Sequence, residues 1–246
     1  GFFGIDLLSG REQQHLLTGT GDDTWANFIW NVRQVSTDTL WIGTQIGLFW
    51  YSLAFQKCGR LPRRYGKPAA LDSAAITTQF VDSKGLEWMG MGKGQGLCCL
   101  DPAAGRFQYY PGNDPHGYPL RYPLHMAEDR QGNLWFTSDA SAQLVHWDRP
   151  SGHFQVISLP ESVREQSGHL SGIYSEGDSI LWLGSITCGL LKYCLSTGTV
   201  TIYGHEKGLG NSHISSIYED TRKRLWLVTE GGLVCFHQQT EKFTNY

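Results

Sequence analysis

Short apolar runs separated by glycine-rich or polar turns recur along the whole chain, and no segment of useful length carries a helical period. One phrase organises the pattern. Leu40-Trp41-Ile42-Gly43-Thr44 returns as Glu87-Trp88-Met89-Gly90-Met91, Leu134-Trp135-Phe136-Thr137-Ser138, Leu181-Trp182-Leu183-Gly184-Ser185 and Leu225-Trp226-Leu227-Val228-Thr229. The tryptophans stand 47, 47, 47 and 44 residues apart, which is the repeat length of a propeller blade.

The rest of the unit repeats with the phrase. Gly47-Leu48, Gly96-Leu97, Gln143-Leu144, Gly189-Leu190 and Gly232-Leu233 follow it and open a short apolar strand. A turn such as Asp101-Pro102-Ala103-Ala104-Gly105 then leads to a last strand with aromatic or branched residues, as in Arg106-Phe107-Gln108-Tyr109-Tyr110. Ahead of each tryptophan lies another strand and a polar turn, for example Ile76–Val81 and Asp82-Ser83-Lys84-Gly85. Each unit therefore reads as four strands, A to D, with the tryptophan on strand B. The predicted fold is an all-β propeller of four-stranded blades, with repeats at 18–62, 63–110, 111–158, 159–202 and 203–246. Residues 1–17 read as strands C and D of a further blade. Five full repeats and a half blade fit a defective six-bladed ring or part of a larger one, and a seven-bladed ring is the expectation taken forward. One sheet cannot bury both its faces alone, so a Trp at a fixed place is expected to wedge between neighbouring blades, contributing on the order of 3 kcal/mol.

Composition narrows the function classes. Of 246 residues, 40% are hydrophobic, enough for a large core, and the net charge of -3 lacks the basic stripe of a nucleic-acid binder. No stretch reaches the roughly 20 apolar residues of a membrane span, and none of the given sequence reads as a signal peptide. The chain starts at Gly1 and reads as a trimmed part of something longer. Cys58, Cys98, Cys99, Cys188, Cys194 and Cys235 form no CxxC pair and are expected to be mostly free, buried thiols.

In a propeller the D–A and B–C loops share one end of the strands, and variable loops on a rigid scaffold are where binding concentrates. The candidate ligand-binding residues there are Trp25, Gln45, Lys93, Gln95, Arg121, Tyr122, His169 and Glu230. Aromatic rings stack on the apolar CH faces of sugars, and Arg, Gln, His and Glu bond their hydroxyls. Arg121 and Lys93 suit a charged sugar such as a uronate. No cofactor and no metal site are expected. Met91-Gly92-Lys93-Gly94-Gln95-Gly96 is glycine-rich but lies between two strands, so it reads as a hairpin turn and not as a phosphate loop. Strand A residues Val32, Gln34, Thr78, Phe80, Met126, Ser215 and Ile217 are mostly neutral, which counts against a catalytic residue and against an enzyme.

Gly132-Asn133-Leu134-Trp135 and Leu40-Trp41-Ile42-Gly43-Thr44 with Gly47-Leu48 resemble the two-component regulator propeller repeat. So does Tyr203–Leu209 followed by His213–Asp220. The resemblance spans five sites, with departures at Thr137, at Val228 and at Ser138–Ala142. It implies the extracytoplasmic, periplasmic sensor part of a hybrid two-component regulator of Bacteroides-like bacteria, with oligosaccharide ligands. It also implies an adjacent propeller or immunoglobulin-like domain, a homodimer in the parent protein, and a histidine kinase beyond a membrane helix. No nucleic acid is expected to bind this domain. The alternatives left open are a protein-interaction scaffold and a lyase or lactonase-type propeller enzyme.

Overall fold

A computed structural model describes residues 2–5, 11–15, 17, 28–62, 66–112, 116–119, 121–138 and 142–246. The chain divides into two compact units, Gly1–Asn113 and Asp114–Tyr246. The first unit holds a hairpin of β1 (Phe2–Ile5) and β2 (Glu12–His15), then two four-stranded sheets. Blade 1 is β3 (Ile29–Gln34), β4 (Thr39–Thr44), β5 (Gly47–Ser52) and β6 (Lys57–Arg60). Blade 2 is β7 (Ile76–Val81), β8 (Glu87–Met91), β9 (Gly96–Asp101) and β10 (Arg106–Tyr110). The second unit holds blade 3, of β11 (Pro123–Glu128), β12 (Leu134–Ser138), β13 (Gln143–Asp148) and β14 (His153–Ser158). Blade 4 is β15 (Leu170–Glu176), β16 (Ile180–Ser185), β17 (Leu190–Cys194) and β18 (Val200–Tyr203). Blade 5 is β19 (Ile214–Glu219), β20 (Arg224–Thr229), β21 (Gly232–His237) and β22 (Lys242–Asn245). Every sheet is an antiparallel meander in chain order, the blade of an all-β propeller.

The tryptophans sit where the repeat predicts. Trp41 packs on the blade 2 core of Ile76, Met89, Met91 and Cys98. Trp135 joins the cluster of Leu181, Leu183 and Leu191 in blade 4, and Trp182 joins Leu225, Leu227 and Phe236 in blade 5. Each indole thus lies between its own sheet and the next within its unit. Trp88 is buried as well, stacked on Tyr110 with centroids 5.8 Å apart.

One helix departs from the expectation that helical segments are absent. Residues Glu161–Ser167, in the D–A connection before blade 4, form a two-turn helix, α1. Pro160 presets its entry, and Val163 and Ser167, four apart, are its buried face. Seven residues are too few to announce themselves by periodicity. Among the described residues no helix is long and apolar enough to cross a membrane. All six cysteines are free, Cys98, Cys99 and Cys235 buried and the other three half-buried.

Candidate functional site

Each position of the repeated phrase builds the platform on which the loops stand. Six residues before the tryptophan, a carboxylate in the A–B turn takes the indole N–H. Trp88 Nε1 donates to Asp82 at 3.0 Å, Trp135 to Asp129 at 3.0 Å, Trp182 to Glu176 at 2.6 Å and Trp226 to Asp220 at 2.9 Å. Three of these acids also cap their own turn, Asp82 accepting from Lys84 and Leu86, Asp129 from Asn133, and Asp220 from Arg222 and Arg224. Blade 1 has Val35 at this place, and its turn is held by Ser36 and Asp38. The signal was present in the sequence as an Asp or Glu at a constant offset from four of the five tryptophans.

The glycine after the indole is a matter of approach. Strand A of every blade carries a bulge near its start, and in blades 2 and 5 the carbonyl of its first residue faces the preceding blade of the same unit. A Cβ on Gly43 would stand 2.8 Å from the Ile76 carbonyl oxygen, and one on Gly184 would stand 3.0 Å from that of Ile214. Asn31 donates to the same Ile76 oxygen at 2.9 Å, and Ser171 donates to that of Ile214. Val228 occupies this register in blade 5 and is 40% exposed, with no further blade against it among the described residues. Thr137 fills it in blade 3 and is fully buried. The last position of the phrase shapes the B–C turn. Thr44 and Thr229 donate to the carbonyls of Gly47 and Gly232, while the Ser185 oxygen accepts from the N–H groups of Thr187 and Cys188.

At the loop end of blade 1, Trp30 Nε1 donates to Gln45 Oε1 at 2.9 Å, and the Gln45 backbone N–H donates to the Phe28 carbonyl at 3.0 Å. Phe28 and Trp30 meet edge to face with centroids 5.3 Å apart, 50% and 42% exposed. Trp30 is the extra residue of the bulge, so its ring leaves the regular alternation of the strand. These two rings were missed in the sequence because Phe28 ends a loop and Trp30 reads as an ordinary strand residue.

The remaining candidates occupy separate blades. Lys93 and Gln95 share the exposed B–C turn of blade 2, Lys93 at φ 59°, and the Gln95 carbonyl accepts from the Tyr109 hydroxyl at 2.8 Å. Arg121 is exposed and Tyr122 half-buried just before β11, and His169 is half-buried between α1 and β15. Glu230 is exposed in the B–C turn of blade 5 and pairs with His213 Nδ1 at 3.0 Å. Trp25 lies outside the described residues. Among the described residues no hydrogen bond or ion pair joins any two of these candidates; the assembly that does form is Gln45 with Phe28 and Trp30. Tyr118, on a D–A loop, is core, fully buried against Phe136 and Phe154. His125, on β11, is held neutral by burial, which pushes its imidazole down to about 4. No group of three or more His, Cys, Asp or Glu is placed to hold a metal among the described residues.

Comparison with known proteins agrees with this architecture. Residues 208–231, from the D–A connection through the tryptophan of blade 5, match the family described as Two component regulator propeller. No curated protein matches the sequence. The extracellular domain of a hybrid two component system from B. thetaiotaomicron superposes with a TM-score of 0.70 at 20% identity, over 89% of this chain and 30% of that one. A streptogramin B lyase superposes with a TM-score of 0.68 at 18% identity, over 99% of this chain and 74% of that one. Virginiamycin B lyase from Staphylococcus aureus, solved with quinupristin, gives 0.69 at 18% identity, over 99% and 76%. At these identities the likeness is one of fold. The chain spans 30% of the length of the first of these proteins.

Proposed function

We propose that this chain, which carries the two-component regulator propeller repeat, is a ligand-sensing extracytoplasmic propeller of a hybrid two-component regulator and responds to oligosaccharides. The match at residues 208–231, within a repeat present five times, supports the sensor assignment. The observation that carries the ligand class is the exposed Phe28–Trp30 pair with its indole fixed by Gln45. An indole held by its own N–H offers a pre-oriented apolar face to a pyranose ring, so little rotamer freedom is lost on binding. In the first unit Lys93 and Gln95 supply polar contacts at the loop end of blade 2, and in the second unit Arg121, Tyr122, His169 and Glu230 stand at the loop ends of its own blades. The blades belong to a seven-bladed ring in the periplasm, beside a further propeller or immunoglobulin-like domain of a dimeric parent with a histidine kinase. The hydrogen-bonded sheets are stiff, so the ligand acts by favouring one of two arrangements of domains or subunits. Calorimetric titration with neutral and acidic oligosaccharides tests this. A Trp30→Ala variant is expected to lose at least about tenfold in affinity, in line with the loss of a buried aromatic contact. Absence of heat with every sugar, alongside capture of a defined protein partner, would replace the sensor by an interaction scaffold. The second reading is a lyase-type propeller enzyme, the fold being shared with the two lyases, and cleavage of quinupristin by the purified chain would establish it.

A further inference from the structure

In the second unit, at the strand ends opposite the B–C and D–A loops, the turns of blades 3, 4 and 5 enclose a groove of about 780 Å³. Its walls are held by internal bonds. Asp129 takes the Trp135 N–H, Glu176 takes the Trp182 N–H, and Glu128 pairs with Arg149 at 3.2 Å. Beside it, Glu219 accepts from Lys223 at 2.7 Å and from Gln238 at 3.4 Å. The Tyr174 hydroxyl stays protonated, because burial and then its hydrogen bond to Glu219 both raise it.

Two charged groups in the groove are left over. Arg130 and Asp178 form no ion pair among the described residues, and both are exposed. The Arg130 guanidinium stands beside the blade 4 turn, where a Cβ on Gly177 would lie 3.4, 3.5 and 3.6 Å from its Cζ, Nε and Nη2. Gly177 has φ +66°, which favours a residue without a side chain at this point. The glutamine amides at 238 and 239 add both donors and acceptors to the lining.

The lining selects by exclusion. Four carboxylates, of Glu128, Asp129, Glu176 and Asp178, outnumber the two cations Arg130 and Lys223 and repel a polyanion. Tyr174 and Ile180 are the large apolar side chains present, too few for a lipid or an apolar peptide. The volume lies within the roughly 300–1,000 Å³ of small-ligand sites. A dense rim of donors and acceptors without net positive charge matches a ligand dense in neutral hydroxyls.

We propose that this groove is a second ligand site, for a neutral hydroxyl-rich saccharide, with vicinal hydroxyls on Arg130 and Asp178. It rests on the reading that the protein binds sugars, and it is separate from the Phe28–Trp30 platform. The test is calorimetric titration of the whole chain with maltotriose, cellotriose and xylotriose, and with tri-galacturonate as the acidic arm. At least one neutral trisaccharide is expected to bind. Arg130→Ala and Asp178→Ala, both at exposed positions, should each weaken it about tenfold, as expected for a lost hydrogen bond to a charged group. In a Trp30→Ala background, which silences the Phe28–Trp30 platform, a binding event for that trisaccharide should persist and should be weakened about tenfold by the further change Arg130→Ala. Binding abolished by Trp30→Ala and unchanged by Arg130→Ala overturns the groove while leaving the loop-end reading intact. Tri-galacturonate binding that Arg130→Ala weakens, or no binding of any neutral trisaccharide, overturns the groove as well. Silence of all four probes removes both sites together.

Discussion

The bond between the A–B turn carboxylate and the indole of the same blade can be isolated at Asp129 and Trp135. Both residues are buried, at 8% and 5% exposure, and the bond is 3.0 Å long. Asp129→Ala removes the acceptor of the indole N–H and also that of the Asn133 backbone N–H at 2.9 Å. The buried indole N–H left without a partner costs about 1–3 kcal/mol and the half-buried Asn133 N–H about 1 kcal/mol, so the variant should lose about 2–4 kcal/mol. Trp135→Phe keeps an aromatic wedge but removes the donor, which leaves the carboxylate buried against a ring edge. In the double variant neither half of the pair remains, so the two losses should not add. A coupling energy of about 2 kcal/mol is expected, since the bond is charge-assisted. Urea unfolding followed by far-UV circular dichroism gives all four corners of the cycle without relying on the fluorescence of the mutated residue. A coupling smaller than about 0.5 kcal/mol, the scatter expected of independent sites, would show that the conserved offset does not reflect an energetic bond. Blade 1 is the internal control. Val35 stands where the acid would be, so Trp41→Phe should cost only what its packing is worth.

Gly184→Val places a branched side chain 2.9 Å from Ile214 Cγ2 and 3.0 Å from its carbonyl oxygen; it should destabilise by about 1–3 kcal/mol in the same assay, whereas Val228→Ala, at the same register but 40% exposed, should stay within about 1 kcal/mol. Burial pushes the Asp220 carboxyl up, but bonds from the Trp226 indole, from Arg224 and from the Arg222 N–H outweigh it and leave the group depressed. A depressed acid contributes stability that is fully present above its unfolded value near about 3.9 and is lost as the pH falls below it. Asp220→Asn should therefore flatten the acid limb of a stability–pH curve below about pH 4, and an unchanged limb would refute the assignment. Hydroxyls of Ser196 and Thr197 bring the Cys194 thiol down to about 7, while burial raises Cys98. Iodoacetamide at pH 7.5 should label Cys194 first by peptide mass mapping, with Cys98 protected until the chain unfolds.

The sequence by itself determined the blade, because a four-stranded unit that must bury both sheet faces needs the same large residue at the same place each time. Trp41, Trp88, Trp135, Trp182 and Trp226 announce that place at a near-constant spacing, and the strand boundaries follow from the glycine-rich turns between them. The tertiary structure decided what each companion of the tryptophan is for. The glycine at 43 and 184 shows in the sequence only as a member of the repeated phrase, and its use is to admit a carbonyl of another blade, a contact 30 or more residues away along the chain. Val228 likewise reads as a departure from the repeat, and its exposure shows that the close approach that calls for glycine at 43 and 184 is not made there. The candidate site was less legible for the same reason. Ligand-facing side chains are selected by exposure and by mutual distance, and neither is written in local periodicity. Phe28, Trp30 and Gln45 come together through a bulge in one strand and a turn after the next, and Arg130 meets Gly177 across two blades. Such meetings depend on how consecutive sheets pack, which no single repeat encodes.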